Sequence, residues 1–201
     1  MAEALDGRIA SVGFASGDRF VVGWWDRSPL GPMADVMWAD PHGRRTLLAP
    51  RVEVADYITA IYDFDRVQVT GVVIEGDTHQ LQVRAGGLEL DLQAGRGVRL
   101  PLRPTGFVRW VEGPIARAVL GVRTYGTSPT GVVECYRART WQRVRGATAR
   151  LDGRDLGRFG SARPAVRFGF SEPPRVASVV GVRVEIHRPG GEERSAPAGS
   201  V

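Results

Sequence analysis

Four titratable side chains near a group of aromatic residues are the candidates for acid–base chemistry in this sequence. They are Asp26, Asp35, Asp63 and Tyr62. A carboxyl group in an apolar setting, or beside a second carboxyl group, exchanges protons closer to neutral pH because both settings raise its pKa. These residues predict that, if the protein is an enzyme, it is a cofactor-independent isomerase, cyclase or hydratase. The alternative for Asp63 is a solvated turn that leads into a strand.

Tryptophan and arginine side chains indicate a second class of function, the binding of a small molecule. The candidate ligand-binding residues are Trp24, Trp38, Arg123, Arg137, Arg139 and Trp141. Tryptophan combines an apolar ring with a polar tip, which suits a pocket wall, and arginine pairs well with carboxylate or phosphate groups. The pattern favours a binding protein for a small, partly apolar, anionic molecule. The alternative is ordinary packing of these rings in the core and at its rim.

An alternation of basic residues in the second half of the chain suggests a third reading. Arg137, Arg139, Trp141, Arg143 and Arg145 have the same parity and would share one face of a single regular strand. Such a face must meet water, an acidic surface or an anionic ligand. It predicts a module that docks acidic partners, with a solvated sheet face as the alternative. Nucleic acid is an unexpected partner, because the net charge is only +5.

Several kinds of chemistry are disfavoured by composition. The three histidines, His42, His79 and His187, lack the spacing of a zinc site, so we expect no metal and no cofactor. All 27 basic residues are arginine, and the absence of lysine excludes a lysine Schiff base. The single cysteine, Cys135, lies in an apolar strand pattern and is expected to be a buried structural residue. No phosphate-binding glycine loop is present.

Turn residues recur between short apolar or alternating runs along most of the chain. Glycine-containing turns at residues 16–18, 86–87 and 152–153 predict hairpins. This rhythm is typical of a mainly β fold, either an antiparallel barrel or a two-layer bent sheet, and a lipocalin-like architecture is one form it could take. We also expect Val166, Phe168 and Phe170 to form the buried face of a strand.

One segment has a helical rather than a strand period. Its apolar residues fall at i, i+3, i+4, i+7 and i+8, and they are Val54, Tyr57, Ile58, Ile61 and Tyr62. The spacing predicts one short helix at residues 53–62. The alternative is a strand, since tyrosine and isoleucine also favour strands.

Length and charge favour a single β domain over residues 1–187 with a disordered tail at residues 188–201. The alternative is two similar halves, at about residues 8–100 and 101–187, because short motifs recur about 100 residues apart. Residues 1–98 carry 9 Arg and 14 acidic residues, whereas residues 99–201 carry 18 Arg and 8 acidic residues. The first residues lack a basic and apolar signal pattern, and no membrane-length apolar run occurs, so we expect a soluble cytoplasmic protein.

Overall fold

The structure is a computed structural model, and it describes residues 3–100, 125–127, 131–169, 172–174 and 176–187. Within these ranges the chain is mostly β. The elements are β1 (Glu3–Phe14), β2 (Arg19–Arg27), β3 (Met33–Ala39), β4 (Arg45–Ala49), α1 (Val52–Thr59), β5 (Arg66–Val69), β6 (Val72–Gly76), β7 (Gln80–Ala85), β8 (Leu88–Ala94), β9 (Val98–Arg99), β10 (Tyr125–Thr127), β11 (Val133–Leu151), β12 (Arg154–Asp155), β13 (Phe159–Gly160) and β14 (Ser178–His187).

The strands form one open, curled sheet that makes a half-barrel. Its order is β5-β4-β3-β2-β1-β14-β11-β8-β7-β6, so β5 and β6 end the order instead of pairing with each other. All of these pairs are antiparallel except β4 with β5, which is parallel. A parallel pair needs a crossover connection, and α1 supplies it. The predicted mainly β fold with one short helix is therefore confirmed, in its bent-sheet form.

The sheet folds back on itself and encloses a first apolar core. Strands β6, β7 and β8, with the second half of β11, pack on one face of β1, β2 and β3. This core includes Phe20, Val36, Leu88 and Leu90, each at most 1% exposed. Buried and exposed residues alternate along β8, so Leu88, Leu90 and Leu92 all point to one face of the strand. That face packs into the first apolar core.

A second apolar core lies on the other face of the same strands, under the helix. Val54, Ile58 and Ile61 from α1 and its C-terminal turn pack with side chains of β1, β3, β4 and β14. The sheet curls around this helix, since the Tyr57 hydroxyl donates to Glu3 on β1 at 2.9 Å, while α1 itself contacts β4 and β5. The inner face of the half-barrel is therefore the helix side of the sheet.

Several local predictions are confirmed. The hairpin between β1 and β2 turns at residues 15–18, where Gly17 has φ of +91°. The hairpins at residues 86–87 and 152–153 each have two loop residues. The helix occupies Val52–Thr59, so it begins one residue before the predicted segment and ends three residues earlier, with a turn continuing to Tyr62.

The prediction that the arginine stripe shares one face is wrong. The pairing of β11 with β14 shifts register between Ala138 and Thr140, and a second shift separates Val144 from Gly146. Because an extra residue in one strand moves every later side chain to the opposite face, Arg137 and Trp141 point to different sides of the sheet. Arg137 is opposite Arg183 in the ladder, whereas Trp141 is opposite Val180.

The predicted strand near Val166 is also absent, although its burial is confirmed. Val166 and Phe168 are at most 4% exposed and belong to the helix-side core, but the chain there is irregular and Arg167 has φ of +55°. The buried segment is instead tied down by Arg19, which donates to the carbonyl oxygens of Pro164 and Ala165. Phe170, the tail at residues 188–201 and much of the second proposed half lie outside the described residues. In the part of the chain that the structure describes, no helix is long and apolar enough to cross a membrane.

A close backbone approach at Gly13 gives a test of this packing. A Cβ atom on Gly13 would lie 2.2 Å from the carbonyl oxygen of Ser161, so Gly13→Ala should lower the free energy of unfolding by about 1–3 kcal/mol. Gly160 is its ladder partner, and nothing lies within 4 Å of a Cβ there. Gly160→Ala is therefore the matched control and should stay within about 0.5 kcal/mol of the wild type in urea unfolding. Equal effects of the two changes would contradict the packing described.

Candidate functional site

Five polar side chains lie in two hydrogen-bonded groups on the inner face of the half-barrel, and we call them the interior cluster. Its members are Trp25, Asp35, Tyr62, Glu134 and Tyr136. Strands β2, β3 and β11 supply four of them, and the turn after α1 supplies Tyr62. The curl of the sheet brings β3 and β11 within electrostatic reach of each other although three strands separate them in the sheet order.

Asp35 is held by one oxygen and leaves the other without a partner. Its side chain is completely buried, and Oδ1 accepts a hydrogen bond from Trp25 Nε1 at 3.1 Å. Oδ2 is buried with no hydrogen-bond partner. Burial raises the pKa of Asp35 to about 6, and the Trp25 hydrogen bond opposes that rise only in part.

Gly23 makes the room for this hydrogen bond. Gly23 is opposite Asp35 in the ladder, and a Cβ atom on it would lie 2.4 Å from Asp35 Oδ1 and 2.7 Å from Trp25 Nε1. A glycine inside an apolar strand often marks such a close approach. The glycine between Val22 and Trp24 is thus the sequence signal that could have pointed to this position.

Glu134 and the two tyrosines form the second part of the cluster. Glu134 is completely buried, and its Oε2 contacts the hydroxyl oxygens of Tyr62 at 2.7 Å and Tyr136 at 2.9 Å. The two hydroxyl groups also contact each other. Glu134 Oε1 is buried and has no hydrogen-bond partner.

The proton count in this group favours a neutral carboxyl group. Three oxygens contact one another in a closed triangle, but the tyrosines supply only two protons for three contacts. A neutral Glu134 would supply a third proton. Burial acts in the same direction, because it raises the pKa of Glu134 even though both tyrosine hydrogen bonds lower it. Burial likewise raises the pKa of Tyr62 and of Tyr136 well above the usual value, so both stay protonated donors.

The tyrosines form the outer side of the cluster. Tyr62 and Tyr136 are partly exposed, whereas Asp35 and Glu134 are completely buried. The ring of Tyr62 lies against Gly169, where a Cβ atom would come within 2.6 Å of it. Part of each tyrosine therefore reaches the surface, while both hydroxyl groups point inward to Glu134.

Two of the four predicted acid–base candidates belong to this cluster, Asp35 and Tyr62. The other two do not. Asp26 lies on the opposite side of the structure in an exposed ion pair with Arg8 at 3.2 Å. Asp63 lies in the turn after α1, where its backbone N–H donates to Phe168.

Among the residues that the structure describes, Trp141 is the one predicted ligand-binding residue on the same face of the sheet as the interior cluster. Trp24 lines a small cleft with Arg8, whose guanidinium carbon lies 4.9 Å from the ring centre, and this cleft is on the face opposite the interior cluster. Trp38 stacks on Phe20 and donates to Asp18 at 2.9 Å. Trp141 lies on the helix side of the sheet, and Arg123 lies outside the described residues.

Arg137 and Arg139 take part in ion pairs on the face opposite the interior cluster. Arg137 pairs with Glu185 at 3.0 Å, and Arg139 pairs with Asp6 at 3.0 Å. Arg183 joins the two pairs, because it contacts both Asp6 and Glu185. Each arginine here has an acidic partner, which weakens the attraction of this face for an anion.

Sequence reasoning missed Glu134, Tyr136 and Trp25 as members of the site. Glu134 is inside an apolar run that reads as a structural strand, and its partner Tyr62 is 72 residues away. The three histidines are exposed, and among the residues that the structure describes no three His, Cys, Asp or Glu side chains converge as metal ligands.

Comparison with known proteins gives one structural likeness. No family model matches the chain, and no curated protein matches it. Among solved structures, the chain is similar to a crystal structure of acetoacetate decarboxylase from Legionella pneumophila, with a TM-score of 0.44 and 7% sequence identity. The alignment covers 92% of this chain and 84% of that one.

The raised pKa of Asp35 predicts a specific pH dependence of stability. The folded protein holds a proton on Asp35 up to about pH 6, whereas an unfolded aspartate releases it near 3.8. The free energy of unfolding should therefore fall as pH rises between these values, by on the order of 3 kcal/mol from this group.

Asp35→Asn removes this titration, so urea unfolding across the same pH range should show a shallower fall than in the wild type. The control is Asp26→Asn, which makes the same chemical change at the exposed Asp26 beside Arg8. Its free energy of unfolding should fall with rising pH as steeply as that of the wild type. Parallel pH profiles for the wild type and Asp35→Asn would show that Asp35 does not hold its proton in the folded state.

Proposed function

We propose that the half-barrel binds a small, partly apolar molecule whose polar group contacts the interior cluster. The two unpartnered oxygens, Asp35 Oδ2 and Glu134 Oε1, support this proposal most strongly. A buried polar atom without a partner costs about 1–3 kcal/mol, and most native buried polar atoms have one. A ligand hydroxyl group would donate to either oxygen, and a ligand carbonyl group would accept from Asp35 Oδ2 when Asp35 is protonated.

The electrostatics of the cluster favour a neutral polar group on the ligand. Burial is the main cause of the raised pKa of both Asp35 and Glu134, and no cation is among the causes that act on either group. An anionic ligand beside these carboxyl groups would lose its hydration without gaining a positive partner. This revises the expectation of an anionic ligand, since Arg137 and Arg139 are paired on the other face.

The surroundings of the cluster favour an apolar body on the ligand. The helix-side core around it contains Met33, Val184 and Phe168, and it supplies hydrocarbon and aromatic surface beside the polar atoms. Burial of such surface stabilises a complex by about 25 cal/mol per Å² of apolar area removed from water. The combination of an apolar wall and a few convergent polar groups is typical of small-molecule sites.

The proposal is tested with small ring molecules that differ in one polar group. Saturation-transfer NMR would compare cyclohexanol, cyclohexanone and phenol with benzoate and toluene. We expect the neutral polar molecules to bind, and Tyr62→Phe to weaken them by about 5- to 10-fold through the loss of one hydrogen bond. Native mass spectrometry of the freshly purified protein would in addition detect a molecule that it already carries.

Tyr57→Phe is the matched control for Tyr62→Phe. Tyr57 is on α1, and its hydroxyl group donates to Glu3 instead of the cluster. The same chemical change there should leave binding unchanged. A preference for benzoate, or equal effects of the two tyrosine variants, would count against the interior cluster as the binding site.

A further inference from the structure

The interior cluster has the two halves that proton transfer on a bound molecule requires. Asp35 is a carboxyl group oriented by a second side chain, because Trp25 holds Oδ1 and leaves the buried Oδ2 open. This is the usual arrangement of a general base. Tyr62 and Tyr136 are hydroxyl donors that are backed by Glu134.

These two halves lie on the same face of the curled sheet. Asp35 acts electrostatically on the Tyr136 hydroxyl group, and both side chains belong to the helix side of the curled sheet. A single small molecule that reached the cluster could therefore contact a base on one side and a hydroxyl donor on the other.

We infer that this site catalyses proton transfer on a small ketone, with Asp35 as the base at the carbon next to the carbonyl group and a tyrosine hydroxyl group bound to the carbonyl oxygen. The inference rests on the proposed binding function and adds a reaction and a substrate class to it. The chain has no lysine, so a carbonyl group here must be activated by hydrogen bonds and not by a Schiff base.

The reaction balances within the substrate, the named residues and water. Asp35 Oδ2 takes a proton from the carbon next to the carbonyl group, and the electron pair of that C–H bond forms the carbon–carbon double bond of an enolate. The hydroxyl group of Tyr62 or Tyr136, which donates to Glu134 in the free protein, turns its proton to the carbonyl oxygen, which carries the developing negative charge. The proton on Asp35 exchanges with water, and Asp35 then returns a solvent-derived proton to the same carbon. Return of a proton to a conjugated carbon instead gives isomerisation, and neither outcome needs an oxidant or reductant.

Three features of the cluster suit this chemistry. A neutral Glu134 would avoid a second negative charge beside the enolate oxygen. Glu134 Oε2 and the hydroxyl groups of Tyr62 and Tyr136 can pass protons along their mutual contacts. The pKa of Asp35, about 6, is near the value at which a carboxylate is both ionised and basic at neutral pH.

The test uses cyclohexanone as the probe in deuterium oxide. NMR would follow the incorporation of deuterium at the two carbons next to the carbonyl group, and saturation transfer in the same sample would measure binding. We expect the wild-type protein to accelerate incorporation over buffer. Asp35→Asn should lower this acceleration by about 100-fold or more while cyclohexanone still binds.

Two further variants separate a catalytic role from a structural one. Tyr62→Phe should slow incorporation more than it weakens binding, because its hydrogen bond strengthens as charge develops on the oxygen. Asp26→Asn should leave both quantities unchanged, since Asp26 is exposed beside Arg8 on the opposite face. The wild-type rate of deuterium incorporation should rise as the pH passes about 6, because Asp35 then loses its proton. Trp25, Tyr62, Glu134 and Tyr136 are the other polar groups of the interior cluster.

The possible failures of the two proposals are distinguishable. Binding of cyclohexanone without deuterium incorporation would overturn the reaction and leave the proposed binding function standing. Binding of cyclohexanol or phenol but not of cyclohexanone would overturn the ketone as substrate class. Incorporation that survives Asp35→Asn in a folded variant would overturn Asp35 as the base, and failure of all the neutral probes to bind would overturn both proposals.

Discussion

The long strand β11 is the element on which the rest of the structure depends. It runs without interruption from Val133 to Leu151, pairs with β14 in its first half and with β8 in its second, and so joins the two layers of the sheet. Two register shifts bend it between these partners. They also decide which side chains face the helix and which face the folded-back hairpins, because each shift exchanges the two faces of the strand.

The curl that β11 imposes explains why polar groups are collected in the interior. Glu134 and Tyr136 lie before the first shift and point to the helix side, where the turn after α1 brings Tyr62 to meet them. Asp35 comes from the other arm of the half-barrel. Completely buried carboxyl groups destabilise a fold unless their environment compensates for lost hydration, so two of them in one interior argue for a use beyond packing. Gly23 makes room for the Asp35 carboxyl group, and Gly169 makes room for the ring of Tyr62.

Local chemistry made much of the fold predictable, and long-range geometry made the site hard to predict. The turn at Gly17, the two-residue hairpin loops and the helical spacing from Val54 to Ile61 depend on nearby residues alone, and all were confirmed. No sequence pattern marks the bulge in β11. Simple alternation therefore placed Arg137 and Trp141 on one face of the strand, whereas they lie on opposite faces. Asp35 and Tyr62 could be named as candidates from residue type, but Glu134 could not, since only the closed sheet brings it to Tyr62.

A carbon-13 NMR titration of the aspartate and glutamate carboxyl groups tests the central claim, that the half-barrel interior keeps two carboxyl groups in a low-dielectric, partly unpartnered state. Two resonances should stay in the neutral form at a pH where exposed carboxyl groups are already ionised. One should titrate near pH 6 and disappear in Asp35→Asn, and the other should disappear in Glu134→Gln. Titration of every carboxyl group in the ordinary range would contradict the account, because it would mean that water reaches both groups and that the interior cluster is not a closed site.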